Sequence, residues 1–116
     1  MATRAIVGIV LEDGKAKSIY HHWDGYPDHL GNVLKKYYST YEEALDFVEG
    51  GDISSTSETG SPSYYYESGD SWDLVKPVLH LFRQEIINRG CDCCDYTYIF
   101  EDNEWHCYSG EEVVCL

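Results

Sequence analysis

The sequence predicts one α+β domain over residues 1–116, with an antiparallel sheet built from N- and C-terminal hairpins and about three helices on one face. The length of 116 residues is typical of one domain. Hydrophobic residues make up 43% of the chain, which is enough for a core and argues against disorder. Apolar and aromatic runs lie near both ends, and helical patterns lie between them. An antiparallel sheet covered by helices is the fold that this order favours.

The N-terminal elements are predicted to be a hairpin followed by a helix. Residues 5–11 form a continuous apolar run, typical of a buried strand, and residues 16–22 form the returning strand after an Asp-Gly turn. Residues 23–31 are expected to form a loop. Because proline favours the first turn of a helix, a helix is expected to begin near residues 27–28 and to continue to Tyr38.

A capping box predicts the start of the next helix, over residues 41–49. The Thr40 hydroxyl is placed to accept from the amide of Glu43, whose carboxylate reaches back to the Thr40 amide. The apolar stripe of this helix is Tyr41, Ala44, Leu45 and Val48. Residues 52–63 are rich in Ser, Thr and Gly and are expected to form a mobile surface loop, followed by a short strand at residues 64–66.

The C-terminal part is predicted to contain a third helix and a second hairpin. A helix is expected over residues 77–89, with Val78, Leu79, Phe82 and Ile86 on its buried face. Residues 96–100 and 105–108 predict two strands joined across an Asp-Asn turn.

The net charge of −13 is unevenly distributed along the chain. Residues 37–75 carry nine acidic residues and residues 90–116 carry seven, and neither block contains Lys or Arg. Such a charge disfavours direct binding to nucleic acid or to an anionic membrane, and it favours a partner protein with a basic surface. A solvated surface that keeps the protein in solution is the alternative interpretation.

The first acidic block supplies the predicted partner-binding residues. They are Glu42, Asp46, Glu49, Asp52, Glu58, Glu67, Asp70 and Asp73. Glu42, Asp46 and Glu49 follow i, i+4, i+7 spacing and are therefore expected to share one helix face.

A second candidate site is the aromatic and histidine-rich segment of residues 20–31. Its possible recognition residues are His22, Trp23, Asp24 and Tyr26, held on a backbone that Gly25 and Pro27 restrict in opposite ways. Loops of defined shape that carry aromatic and His side chains often recognise ligands. The interpretation that we favour over recognition is a structural corner in which the rings of Trp23 and Tyr26 fill the core.

Several of these motifs resemble small proteins encoded by bacteriophages and prophages. The resemblance covers residues 3–55 and, more loosely, the hairpin at 96–108. It depends on the His-Trp-Asp-Gly-Tyr-Pro motif at 22–27 and on Gly51-Asp52-Ile53-Ser54-Ser55. The family is mostly uncharacterised, so the resemblance transfers no catalytic residue. The phage context, the small size and the two acidic blocks together resemble anti-restriction and anti-CRISPR proteins, which leads us to expect an anti-defence role. The family has an arginine after the middle strand, where this chain continues Glu67-Ser68-Gly69-Asp70.

Cysteine spacing leaves a metal site open but does not favour one. Cys91 and Cys94 form a Cys-x-x-Cys pair, whereas Cys107 and Cys115 are too far apart for a typical second zinc pair. We expect no metal, no other cofactor and no catalytic residues. An odd count of five cysteines, with no signal-like segment and no membrane span, predicts a cytoplasmic protein with reduced thiols.

The leading functional hypothesis is an inhibitor that binds a host protein through a DNA-mimicking acidic surface. Carboxylates would occupy a basic nucleic-acid channel, with association weakened by salt. The alternative hypothesis is a module that sequesters a nucleotide signal by stacking bases on Trp and Tyr. That alternative needs a cationic pocket for phosphates, and the chain has only eight Lys and Arg.

Overall fold

The computed structural model of the protein describes residues 2–116, which form eight strands and four helices. The strands are β1 Ala5–Val10, β2 Ala16–His21, β3 Ile53–Thr56, β4 Pro62–Tyr64, β5 Val78–His80, β6 Tyr96–Glu101, β7 Glu104–Ser109 and β8 Glu112–Val114. The helices are α1 Asn32–Tyr37, α2 Tyr41–Glu49, α3 Trp72–Val75 and α4 Gln84–Cys93, and a π-helical turn, Pro27–Gly31, leads into α1. The predicted α+β class is confirmed. No helix within residues 2–116 is both long and apolar enough to cross a membrane.

The eight strands form one mixed sheet in the order β4-β3-β2-β1-β6-β7-β8, and β5 pairs with β2 beside β3. Both predicted hairpins are present, β1 with β2 and β6 with β7. The prediction of an antiparallel sheet is wrong for two pairs, because β1 pairs parallel with β6 and β2 pairs parallel with β3. Strand β1 needs a partner on each edge to satisfy its buried backbone groups, and the first hairpin fills only one edge.

Two hydrophobic clusters lie on opposite faces of the sheet. Alternate residues of β1 point to opposite faces, so that Val7 packs in the cluster with α1 and α2, and Ile6 packs in the cluster with α4. The prediction that all helices cover one face is therefore wrong. The cause is visible in β1 and β6, which are apolar on both faces, and a strand of that kind needs cover on both sides.

The helix α2 begins as predicted. The Thr40 hydroxyl accepts from the Glu43 amide at 3.2 Å, and the Glu43 carboxylate accepts from the Thr40 amide at 3.2 Å. Ala44 and Val48 are buried, as is Phe47, which the predicted stripe omitted. The capping box is therefore confirmed, and the helix buries a wider face than its sequence pattern indicated.

The predicted helix over residues 77–89 is wrong in its first half. Lys76 is extended with ψ 155°, because a residue before proline avoids helical backbone angles. The chain then forms β5 against residues 16–18 of β2, and α4 begins only at Gln84. Ile86 is buried as expected, whereas Val78, Leu79 and Phe82 are exposed.

The segment 52–63, expected to be a surface loop, instead contributes β3 and β4. The Ile53 carbonyl accepts from the His22 amide at 3.0 Å, which continues the parallel pairing of β3 with β2. Ile53 and Thr56 are buried, so the polar composition of the segment concealed a strand with two inward side chains. Of the expected strand at residues 64–66, only Tyr64 belongs to β4.

Gly90 provides a test of how α4 packs on the sheet. A Cβ atom at Gly90 would lie 3.1 Å from the Cβ of buried Thr97 and closer still to its hydroxyl. Alanine normally stabilises a helix interior relative to glycine. Here we expect Gly90→Ala to lower the free energy of unfolding by about 1–3 kcal/mol, because the helix must move away from β6. Chemical denaturation measures the change, with exposed Cys91→Ala on the same helix as the control; an unchanged or raised stability for Gly90→Ala would contradict the packing.

Candidate functional site

The predicted acidic residues divide into those whose charge is offset and those whose charge is free. Lys17 Nζ lies 2.6 Å from the Glu49 carboxylate, and Lys76 Nζ lies 3.7 Å from that of Asp73. Asp52 accepts a hydrogen bond from the Tyr20 amide at 2.9 Å, and burial raises the pKa of this carboxyl. Asp52 therefore holds β3 against β2, and the expected three-residue ridge on α2 is reduced to two uncompensated charges.

Five of the eight predicted partner-binding carboxylates are exposed and form no ion pair within residues 2–116, and four of these five lie on α2 or in the turn after β4. We call them the acidic surface: Glu42 and Asp46 on α2, and Glu67 and Asp70 in the turn after β4. Glu58, at the tip of the β3–β4 hairpin, lines a separate cleft of about 260 Å³ that it shares with Lys36. The acidic surface thus has fewer members than the predicted partner-binding set.

Tyr64 shows that the two segments of the acidic surface converge. Its hydroxyl donates to the Phe47 carbonyl of α2 at 2.8 Å. Burial raises the pKa of Tyr64 well above its usual range, and the charges of Glu67 and Asp46 raise it further. Because both carboxylates act on the same ring hydroxyl, the turn and the helix present their charge on the same side of the molecule.

An exposed aromatic pair lies directly beside the acidic surface. The rings of Tyr66 and Trp72 meet edge to face, with centroids 5.2 Å apart, and remain 54% and 38% exposed. Exposed Tyr and Trp side chains surrounded by polar groups are typical of the centre of a protein interface. Sequence reasoning missed this pair because α3 was not predicted. The available signal was a Trp that follows the polar run Glu67-Ser68-Gly69-Asp70-Ser71.

The predicted recognition segment is held by its backbone and exposes its rings. Trp23 is 45% exposed and Tyr26 is 40% exposed, so the interpretation that these rings fill the core is wrong. Gly25, between exposed Asp24 and Tyr26, is buried. Its amide donates to the Thr3 carbonyl at 2.8 Å, and its carbonyl accepts from the Tyr98 hydroxyl at 2.7 Å. Asp24 precedes it with a positive φ of 57°.

The segment of residues 20–31 contains three histidines, and their environments differ. The His22 ring meets the Trp23 ring edge to face at 4.7 Å, and its Nδ1 lies 2.7 Å from the Tyr20 hydroxyl. His29 Nε2 donates to the Thr56 carbonyl at 2.6 Å. His21 is fully buried, with Nε2 2.9 Å from the Thr56 hydroxyl, and burial together with the nearby His29 lowers its pKa to about 3. His21 is therefore a neutral imidazole at ordinary pH.

The cysteines considered for zinc lie on different faces of the sheet. Cys94 follows α4 and packs with the α4 cluster, whereas Cys107 on β7 is buried in the cluster below α1 and α2. Cys91 and Cys115 are exposed. Within residues 2–116, no three His, Cys, Asp or Glu side chains are close enough together to hold a metal ion.

A groove with a volume of about 470 Å³ lies beside β7 and β8. Trp105 forms part of its wall, with the indole Nε1 donating to the Tyr38 carbonyl at 2.8 Å. Lys35 is the only Lys or Arg that lines it within residues 2–116. A phosphate-bearing ligand would therefore meet one permanent cation in this groove.

Comparison with known proteins gives no further assignment. No protein-family model, no curated protein and no solved structure matches this chain.

The different roles of Trp23 and the Gly25 backbone lead to a stability prediction. Because its ring is nearly half exposed, Trp23→Ala should lower the free energy of unfolding by no more than about 1 kcal/mol. Tyr98→Phe should cost about 1–3 kcal/mol, because it leaves the buried Gly25 carbonyl without a donor. Urea denaturation of both variants measures the contrast. A cost of about 3–5 kcal/mol for Trp23→Ala would instead indicate a buried ring.

The buried His21 predicts a specific pH dependence of stability. The His21 imidazole has its ordinary pKa of 6.5 in the unfolded chain and a pKa of about 3 in the folded chain. Because the unfolded chain therefore binds a proton more readily, the free energy of unfolding falls as the pH decreases from 6.5 towards 3. The contribution from pH 7 to pH 5 is about 2 kcal/mol. His21→Gln should reduce the pH-dependent loss by that amount. The free energy of unfolding is measured at pH 7 and pH 5 for each protein, so that the cost of the substitution itself cancels. If the wild type and His21→Gln lost the same free energy of unfolding between these pH values, a neutral buried His21 would be contradicted.

Proposed function

We propose that this chain binds and inhibits a host protein whose surface is basic, and that it does so through the acidic surface and the adjacent aromatic pair. The proposal depends on one observation above all. Asp46 of α2 and Glu67 of the turn after β4 are exposed, form no ion pair within residues 2–116 and act on the same Tyr64 hydroxyl, and Glu42 and Asp70 lie on the same two segments. Carboxylates so arranged occupy a basic nucleic-acid channel in place of phosphates, so the target we infer is a nucleic-acid-binding defence protein.

The physical basis of the proposal is electrostatic attraction combined with an apolar anchor. A net charge of −13 attracts a basic surface over a distance set by the ionic strength, and it speeds association. Tyr66 and Trp72 then supply apolar contact area, which long-range attraction alone does not provide. The acidic residues would form the rim of the interface and the aromatic pair its centre.

The resemblance to phage-encoded proteins supports the biological setting of this proposal. An anti-defence protein acts inside the infected bacterium, so we place this chain in the host cytoplasm. Its targets would be effector or nuclease subunits that bind nucleic acid through Lys and Arg. Catalysis has no part in this mechanism, because occupying the channel is sufficient for inhibition.

The exposed rings of Trp23 and Tyr26 favour a second candidate, a module that sequesters a nucleotide by stacking its base. The rings and the nearby histidines offer a stacking surface. Phosphates require converging cations, and the cleft beside His29 is lined by Lys36 together with the carboxylates of Asp28 and Glu58. The acidic-surface proposal is therefore preferred.

Charge reversal tests the proposed function directly. Tagged protein is used to capture its target from a bacterial lysate at low salt, and affinity for the purified target is then measured. Glu42→Lys with Asp46→Lys should weaken binding by about 100-fold or more, which corresponds to about 2.7 kcal/mol, and it should restore DNA binding by the target. Glu67→Lys with Asp70→Lys should have a similar effect.

A matched control separates local recognition from net charge. Glu111→Lys with Glu112→Lys changes the net charge by the same amount at exposed positions near β8. This control should retain affinity within about tenfold. Full affinity in both acidic-surface variants, or equal losses in all three, would contradict the proposal. Co-purification of a nucleotide, lost on Trp23→Ala, would favour the sequestering module.

A further inference from the structure

An exposed apolar surface lies along β5 and the residues on either side of it. It consists of Leu74, Val78, Leu79, Leu81 and Phe82, which are 81%, 41%, 56%, 63% and 68% exposed. We call these five residues the apolar edge. Apolar residues clustered in one short segment are uncommon on the surface of a monomer and typically mark an interaction site.

The strand within the apolar edge has an open side. Among residues 2–116, β5 pairs with β2 and with no other strand. Its second edge therefore presents backbone amides and carbonyls that another strand can pair with. Because successive side chains of a strand point to opposite faces of the sheet, Leu79 points to the face opposite to that of Val78 and His80. It shares that face with Lys17, its partner in the register. A strand added at this edge would contact apolar side chains on both faces.

Hydrogen bonds to side chains of α4 and β2 hold this segment in place. Glu85 Oε1 accepts from the Leu81 amide at 3.1 Å and from the Phe82 amide at 3.0 Å. His80 is buried, with Nε2 2.7 Å from the Ser18 hydroxyl, which also accepts from Arg89 at 2.9 Å. These bonds fix the backbone of the segment, and its apolar side chains are presented to solvent in a defined arrangement.

The charge of this region distinguishes it from the acidic surface. Residues 76–89 carry three basic residues and one acidic residue, in a chain whose net charge is −13. Two of these three cations form ion pairs, since Lys76 pairs with Asp73 and Arg83 Nε lies 3.1 Å from the Glu101 carboxylate. Two copies of such an acidic chain therefore repel each other less when they approach through this region than through the acidic surface.

We propose that the apolar edge is the contact surface for a second copy of this chain, with the β5 strands of the two copies paired antiparallel about a twofold axis near Leu79. Antiparallel pairing of identical strands satisfies both open edges at once and places the same apolar side chains from each copy against one another. The acidic surfaces of both copies then remain free, and the proposed function does not depend on the dimer.

Sedimentation of the purified chain tests this proposal. We expect a concentration-dependent dimer. Leu79→Glu should raise the dissociation constant at least tenfold, because it places two like charges near the axis. Val113→Glu is the matched control, since Val113 is 77% exposed on the edge strand β8 at an end of the sheet. Circular dichroism confirms that both variants are folded.

Ionic strength gives a second, independent readout. Raising it from about 0.01 M to about 1 M shortens the screening length from about 30 Å to about 3 Å, so dimerisation of this acidic chain should strengthen. Binding of a basic target to the acidic surface should weaken over the same range, so the two proposals fail separately. A monomer at all concentrations and salt levels would overturn the dimer proposal, and so would a dimer that Val113→Glu dissociates and Leu79→Glu does not.

Discussion

The rest of the structure depends on strand β1 being enclosed on all sides. Residues Ala5–Val10 are apolar on both faces and lie in the middle of the sheet, between β2 and β6. Its backbone requires a strand on each edge, and its side chains require helices on each face. The two terminal hairpins are therefore joined by the parallel pairing of β1 with β6, and the helices divide between two layers. A sheet covered on one face only would leave either Ile6 or Val7 in water.

The enclosure of β1 also places the two proposed interaction surfaces. With β1 on one side, β2 has a single free edge, which is shared between β5 at residues 16–18 and β3 at His21. The chain between β4 and α4 carries the acidic turn, the aromatic pair and then the apolar edge. One side of the molecule thus presents charge beside Tyr66 and Trp72, and the neighbouring edge presents Leu79 and Phe82. The apolar edge, the aromatic pair and the carboxylates of Glu67 and Asp70 come from this part of the chain, whereas Glu42 and Asp46 come from α2.

Local signals were the part of the fold that the sequence predicted well. The capping box at Thr40 and Glu43 and the turns of both hairpins involve neighbouring residues, and each appears as expected. The errors involve long-range competition. Val78 and Leu79 fit a helical pattern, yet the extended backbone before Pro77 and the free edge of β2 favour a strand. Long-range contacts also limited the prediction of the candidate site. Composition identified Glu67 and Asp70 as acidic residues, but only the fold shows that Glu49 and Asp73 form ion pairs and that Asp52 accepts a backbone hydrogen bond.

Cross-linking the complex with a zero-length carbodiimide reagent tests the central claim most directly, because it joins an exposed carboxylate only to a lysine in direct contact with it. We predict cross-links from Asp46, Glu67 and Asp70 to lysines that line the nucleic-acid channel of a captured host protein. Added duplex DNA should abolish them. Cross-links formed mainly by Glu104, Glu111 and Glu112, or cross-links to the target that persist when its channel is filled with DNA, would contradict inhibition by the acidic surface.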